Sequence, residues 1–273
     1  MHDCHFHQLL DRFERSRTGY HKVRKGVKKR ISRHMQQLGC QTINAYLAVL
    51  ESNIEARRQC ECLLTVSISR FFRDQKLWQK LEQDILPRLT ETEKIKINLW
   101  SAGCACGEEV YSIKIVWERL KKSRNVLPEL YITASDINPV YIEKAQAGNY
   151  SGGSLKEVPD TFLSIYFDPI KGTRHFAIKS FLKDNIKWKT QDLFSDVPGN
   201  DFHIIFLRNN LLTYYQDRLK KIALSNILKC LAPHGFLVIG SHEALPYNVP
   251  ALVAFDSYKK DVFRKFAAAG APL

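Results

Sequence analysis

No apolar run in this 273-residue chain approaches the roughly 18–20 residues a membrane-spanning helix needs. The opening stretch MHDCHFHQLLDRFER has no apolar h-region and no small-residue cleavage site, so no secretion signal is read there. Cysteines number seven, and the odd count with C-x-C pairs (Cys60/Cys62, Cys104/Cys106) suits neither a disulfide framework nor C-x-x-C zinc spacing. Reduced thiols in a cytoplasmic protein are the expectation. His2, Cys4, His5 and His7 crowd the N-terminus, but a frayed end with chance histidines is preferred to a metal site, as it is for the terminal AAAGAPL. Acid is also scarce: 28 Asp+Glu against 41 Lys+Arg leave a net charge of +13. That excess calls for an acidic partner, whether nucleic acid, anionic membrane or protein. What is plentiful is apolar material, 45% of residues, enough for a real core and too much for a disordered chain.

The charge is unevenly spread. Residues 1–90 hold 17 Lys+Arg and nine acids, a net of +8, and no acid occurs from Arg15 to Leu50. Val23, Val27, Ile31 and Met35 recur every four residues between His21 and Leu38. This predicts an amphipathic helix whose opposite face carries Lys28, Lys29, Arg30 and Arg33. Like charges at that density cost stability, so the face reads as a docking surface. Ile43, Tyr46, Leu47, Leu50 and Ile54 mark another helix, with Gly39 as the C-cap between the two. Leu77, Leu81, Ile85 and Leu89 mark one more. Residues 1–90 are predicted to form a small all-helical domain and 91–273 a second domain, with Thr90–Lys96 as the linker.

The second part alternates strand and helix. Strands are predicted at Ile95–Trp100, Leu130–Ser135, Ile186–Lys189, Phe202–Leu207, Phe236–Gly240 and Val262–Phe266. Helical stripes run Val110–Leu120 and Leu219–Leu231. This is the pattern of a doubly wound α/β sheet, which binds ligands at the carboxyl ends of its strands. Gly103–Glu109, Asp136, Asp192 and Arg208-Asn209 all fall at such ends.

The turn Gly103-Cys104-Ala105-Cys106-Gly107 lacks the middle glycine that brings backbone against a pyrophosphate. Glu108 and Glu109 follow at once, and acids there suit a cationic ligand. Asp136 ends the next predicted strand, where an acid accepts hydrogen bonds from ribose hydroxyls. S-adenosylmethionine, with a sulfonium, an ammonium and no phosphate, fits better than a nicotinamide dinucleotide.

At these residues the chain resembles the chemotaxis-receptor methyltransferases, the CheR family. The run Trp100–Ser112 is similar to its WSAGCSTGEEPYS signature, and Ser69–Asp74 (SRFFRD) to its T-x-FFR-E/D segment. Ala134–Ile137 matches ASDI, and Ala147–Tyr150 resembles G-x-Y. Arg208-Asn209 and Gly240–Glu243 (GSHE) resemble RN-x-x-x-YF and GHSE. The resemblance implies a Rossmann-like S-adenosylmethionine-dependent methyltransferase domain behind the helical domain, with a small β-subdomain inserted at 151–185. It implies cofactor contacts at Ser67, Ser69, Arg73, Ala102, Glu108, Asp136, Asp192, Leu193, Arg208 and Asn209, with S-adenosylhomocysteine as product. It also implies methyl transfer to glutamates of the chemoreceptor cytoplasmic helices, giving methyl esters in chemotaxis adaptation.

Glutamate is already ionised at neutral pH, so a site needs to align and desolvate it rather than deprotonate it. Arg73 is the candidate to hold it, then Arg30 or Arg33. The family's Tyr near the methyl falls on Thr213 without a gap and on Tyr214 with a one-residue insertion. The Tyr215–Gly235 spacing favours Tyr214. GSHE in place of GHSE marks a divergent branch. The short Lys171–His175 segment predicts no tethering to a receptor's C-terminal peptide. The alternatives are a CheR-like enzyme acting on another protein or small molecule, and a non-catalytic S-adenosylmethionine-binding adaptor. Nucleic acid is disfavoured, because neither an N-P-P-Y-like motif nor basic-aromatic interleaving is present.

Overall fold

A computed structural model describes residues 1–67, 69–124, 126–194, 197–256 and 260–266. The AAAGAPL tail lies outside the described residues.

Four helices come first: α1 (Asp3–Arg12), α2 (Arg24–Gln37), α3 (Ile43–Ser52) and α4 (Ile54–Leu64). They share one core built on Phe6, Leu9, Leu10, Tyr20, Val27, Ile31, Tyr46, Cys60 and Leu64. The N-terminus is therefore not frayed: Phe6, Leu9 and Leu10 recur at helical spacing and are buried. Among the described residues no cluster of three or more His, Cys, Asp or Glu could hold a metal ion. α2 falls inside the predicted His21–Leu38 span, with Val27 and Ile31 buried. The stripe continued to Ile54 is interrupted. Asn53 ends α3 and caps α4 by accepting from the Ala56 N–H, which leaves Ile54 86% exposed.

The next helices, α5 (Gln75–Lys80) and α6 (Leu86–Thr92), are joined by a π-helical turn over Leu81–Ile85. Pro87 has no N–H to donate and its ring crowds the preceding turn, so the widened turn lets the helix run on through it. Leu77, Leu81, Ile85, Leu86 and Leu89 pack with the α/β core, not with α1–α4. The packing boundary thus falls between Leu64 and Phe71 rather than at residue 90.

Seven strands form the main sheet: β1 (Lys96–Ala102), β2 (Glu129–Asp136), β6 (Ile186–Thr190), β7 (Phe202–Leu207), β8 (Leu231–Ile239), β9 (Leu252–Ala254) and β10 (Val262–Lys265). Their order is β6-β2-β1-β7-β8-β10-β9. β1, β2, β6, β7 and β8 pair in parallel, and β10 runs antiparallel to both its neighbours. The connecting helices include α7 (Glu108–Ser123), α8 (Pro139–Ala147) and α11 (Asp217–Lys229). Between β2 and β6 lies a small antiparallel sheet of β3 (Asn149–Ser151), β4 (Phe167–Pro169) and β5 (His175–Ile178), preceded at β4 by α9 (Asp160–Tyr166). A short α10 (Leu211–Tyr214) follows β7.

Candidate active site

The carboxyl ends of β1, β2, β6 and β7 open beneath α4 and the segment before α2. A cavity of about 560 Å³ lies between them. The sheet side contributes Gly103, Asp136, Asp192, Leu193 and Tyr214, and the helical side Arg15, Tyr20, Leu64 and Thr65.

Local sequence builds the sheet wall. Gly103 takes φ 84, and a Cβ there would lie 1.9 Å from Asn210 Nδ2, so β7's loop can press against β1's only over a glycine. The Gly103 and Cys104 N–H groups both donate to Ser135 O. Asp136 Oδ2 accepts from the Ala105 N–H at 3.0 Å and Oδ1 from Asn138 N at 2.9 Å. The carboxylate is fixed with lone pairs to spare for a ligand. Burial pushes its pKa above the usual value, partly offset by those backbone donors.

Glu108 opens α7, where the helix dipole favours an acid. Ser154 Oγ donates to its Oε1 at 3.5 Å, whereas its Oε2 is buried and accepts no hydrogen bond. Burial raises its pKa, against hydrogen bonds that include Ser69's. Ser67 in turn hydrogen-bonds Cys106. Glu109 behaves differently: it accepts from Arg208 Nη1 at 2.8 Å and from Ser101 at 2.9 Å. Of the two adjacent acids, only Glu109 is thus paired with a cation.

Arg208 is an internal hub. Its Nη2 reaches Asp74 Oδ2 at 2.7 Å and Arg73 O at 3.1 Å, and its side chain is 4% exposed. It lines neither the cavity nor the neighbouring groove. Phe71 and Phe72 are core, with Phe71 N donating to Ser154 O and Phe72 N to Ser112 Oγ, so the FFR segment is pinned to both the insertion and α7. That anchoring fixes where Arg73 emerges.

A groove of about 1490 Å³ adjoins the cavity, lined by Arg17, His21, Lys22, Arg73, Asn209 and His242 among others. Tyr214 and Val66 line both. Thr213 Oγ1 is occupied, donating to Glu243 Oε1 at 2.5 Å. Tyr214, not Thr213, therefore stands at the junction, and burial raises its phenol pKa. Glu243 also accepts from Asn209 N at 2.8 Å and Gly240 N at 2.7 Å. The sequence quoted Glu243 inside GSHE without giving it this stapling task.

Of the remaining sequence candidates, Asp192 and Leu193 line the cavity, Arg73 and Asn209 line the groove, and Ala102 is buried behind Gly103. The basic-helix candidates do not meet at the groove. Arg30 spends its guanidinium on Leu63 O and Thr65 O, the orphan carbonyls at α4's end. Lys28 pairs with Asp3 at 2.8 Å. Lys29 and Arg33 are exposed on α2. The groove's basic side chains are instead Arg17 and Lys22, from the turn before α2, with Arg73 from the FFR segment.

The residues fit S-adenosylmethionine. Asp136 faces the cavity where ribose hydroxyls need an acceptor, while Glu108 lines neither the cavity nor the groove and lies behind the β1 turn, its Oε2 buried without a hydrogen-bond partner. With the sheet order and the glycine turn, this defines an S-adenosylmethionine-dependent methyltransferase. The comparisons narrow the class. The sequence model of the CheR methyltransferase SAM-binding domain matches residues 67–260. A chemotaxis protein methyltransferase of Listeria monocytogenes is 31% identical over 183 residues, 67% of each chain. One from Borreliella burgdorferi is 26% identical over 249 residues, 86% of each chain. Another, from Pseudomonas aeruginosa, is 26% identical over 230 residues, covering 82% of this chain and 83% of the relative. The chain belongs to the CheR methyltransferase family.

Proposed function

We propose that this methyltransferase esterifies glutamate side chains on the cytoplasmic helical bundle of a chemoreceptor. The observation that carries the reading is Tyr214's position in the wall of both the cofactor cavity and a groove lined by Arg17, Lys22 and Arg73 as well as Glu243. A bound S-adenosylmethionine supplies an electrophilic methyl on its sulfonium. The protein's part is to present a carboxylate to that point in line and stripped of water. Arg73 is placed on the groove wall to fork a carboxylate, and Asn209 Oδ1 steadies it, accepting from Nη2 at 3.5 Å. No side chain need act as general base, because the nucleophile is ionised at neutral pH.

Lys22, with His21 beside it and Arg17 paired with Asp11, opposes the acidic surface of a glutamate-rich helix. Exposed Lys29 and Arg33 extend that surface along α2. The α1–α4 unit is thus the docking element and the α/β unit the chemical one, at work on the cytoplasmic side of the membrane. Arg30 has no part in docking.

The test uses tritiated S-adenosylmethionine with a chemoreceptor cytoplasmic fragment, followed by mild alkali. Volatile methanol is expected from a carboxyl ester. Alkali-stable label would identify another acceptor, and absence of label with cofactor still bound would mark a binding module.

A further inference from the structure

Arg15 is the least expected member of the cofactor cavity. It comes from the turn after α1, far from every motif of the methyltransferase half, and yet it lines the cavity and is 5% exposed. Its guanidinium carbon lies 3.6 Å above the centre of the Tyr215 ring. Its backbone is held too: Ser16 N donates to Tyr214 O and Gln216 N to Glu14 O, an antiparallel bridge that pairs Arg15 with Tyr215. Stacking and bridge together fix the guanidinium plane. Its Nε–H, however, is buried and meets no acceptor among the described residues.

A buried donor on a charged group without a partner is costly, and a site that keeps one has an acceptor to offer it when occupied. The acceptor's identity follows from the order of groups along the sheet. Gly103 ends β1, Asp136 ends β2, and Asp192 and Leu193 follow β6, the next strand outward. With ribose at Asp136 and the amino-acid end at the β1 turn, the base extends toward Leu193. Tyr215 is there, its ring centre 5.0 Å from that of Phe194. Adenine presents three ring nitrogens, N1, N3 and N7, that accept hydrogen bonds.

We propose that Arg15 is a cofactor-binding residue, supplied by the helical unit, whose Nε–H donates to a ring nitrogen of the adenine. The inference rests on the cofactor class and is independent of which acceptor is methylated. It makes the helical unit part of the cofactor site as well as the substrate surface, so the bound nucleoside bridges the two units.

The test measures S-adenosylhomocysteine binding by calorimetry to the full-length protein and to Arg15→Met and Arg15→Lys. The ligands are the natural compound and its 1-deaza, 3-deaza and 7-deaza analogues. For wild type, one deaza analogue is expected to bind about tenfold to a hundredfold more weakly. Arg15→Met is expected to lose a similar factor toward the natural ligand and to stop discriminating against that analogue. Arg15→Lys keeps a charge but has no Nε–H at that place, and it should lose the same discrimination. A purely structural Arg15 would lower affinity for all four ligands equally and leave the discrimination intact, overturning the proposal. So would wild-type protein that binds all three analogues as tightly as the natural ligand, a result that needs no variant to fold.

Discussion

Gly19 presses so closely on Thr213 that a Cβ at position 19 would lie 2.0 Å from the Thr213 carbonyl oxygen. The neighbouring atom is backbone, so it cannot swing aside. Tyr20 beside it meets the Tyr214 ring edge-on, with centroids 5.0 Å apart. The segment before α2 is therefore seated directly on α10, which carries the residue at the cavity–groove junction.

Gly19→Ala is expected to push these segments apart and to cost about 1–3 kcal/mol, the usual range for overpacking a tight contact. Chemical denaturation followed by circular dichroism measures it. Methyl transfer should fall by more than stability alone explains, because Tyr214 moves with α10. Gly26→Ala is the control: nothing lies within 4 Å of the added Cβ, and α2 should gain roughly 0.5–1 kcal/mol.

Removing the Arg208 charge should be severe. Arg208→Met leaves Asp74 and Glu109 as carboxylates without their shared cation in a largely buried setting. Breaking such a network from one side costs about 3–5 kcal/mol. A triple variant that adds Asp74→Asn and Glu109→Gln should recover part of that loss in the same urea titration.

Acidification should weaken cofactor binding before it unfolds the protein. Burial raises Glu108 above its ordinary 4.5 and Asp136 above 3.8. A cationic ligand binds their charged forms, so affinity is full above these raised values and is lost as pH falls through them. Asp74 moves the other way. Burial raises it, but the Arg208 guanidinium outweighs that and holds it below 3.8. Its contribution to stability is present above 3.8 and disappears only as pH falls through the lower folded value. Calorimetric titration of S-adenosylmethionine at successive pH values should show the first loss, and Glu108→Gln should reduce its steepness.

Electrostatic steering should depend on the groove more than on the outer face of α2. Lys22→Glu is expected to lower kcat/KM toward a receptor fragment and to flatten its salt dependence, with S-adenosylhomocysteine affinity unchanged. Lys29→Glu should have a smaller effect, because Lys29 is exposed on α2 without lining the groove. Equal effects from the two would place the docking surface along the helix rather than at its start.

Periodicity made the α/β half legible. Phe202–Leu207 is legible to the residue and β1, β2, β6 and β10 to within two, because buried strands are apolar runs with few competing patterns, whereas β8 starts five residues before the predicted Phe236 and the short β9 gives no signal. The motifs likewise point to Asp136, which lines the cavity, and to Arg73, which lines the groove. Ion-pair geometry was not legible. Glu108 and Glu109 are adjacent and chemically identical, and only the packing of Arg208 decides which of them is ion-paired. The same holds for Arg30, one of several cations on α2 until α4's final carbonyls are placed beside it. Nor is the packing partner of a helix legible from its own stripe. The Leu77–Leu89 stripe is helical, but a stripe does not say which core it faces.

The ion pair between Glu14 and Arg218 joins residues 204 positions apart in the chain. Contacts of such long range are slow to form, since the loop they close must first lose its freedom. During synthesis α1–α4 emerge first and can build their own core, but the surface they rest on does not exist until residue 218 has left the ribosome. Until then Arg15 lacks the Tyr215 ring it stacks on and Tyr20 the Tyr214 ring it meets. The cofactor cavity therefore closes only when both units are in place, since Arg15 and Tyr215 meet across it.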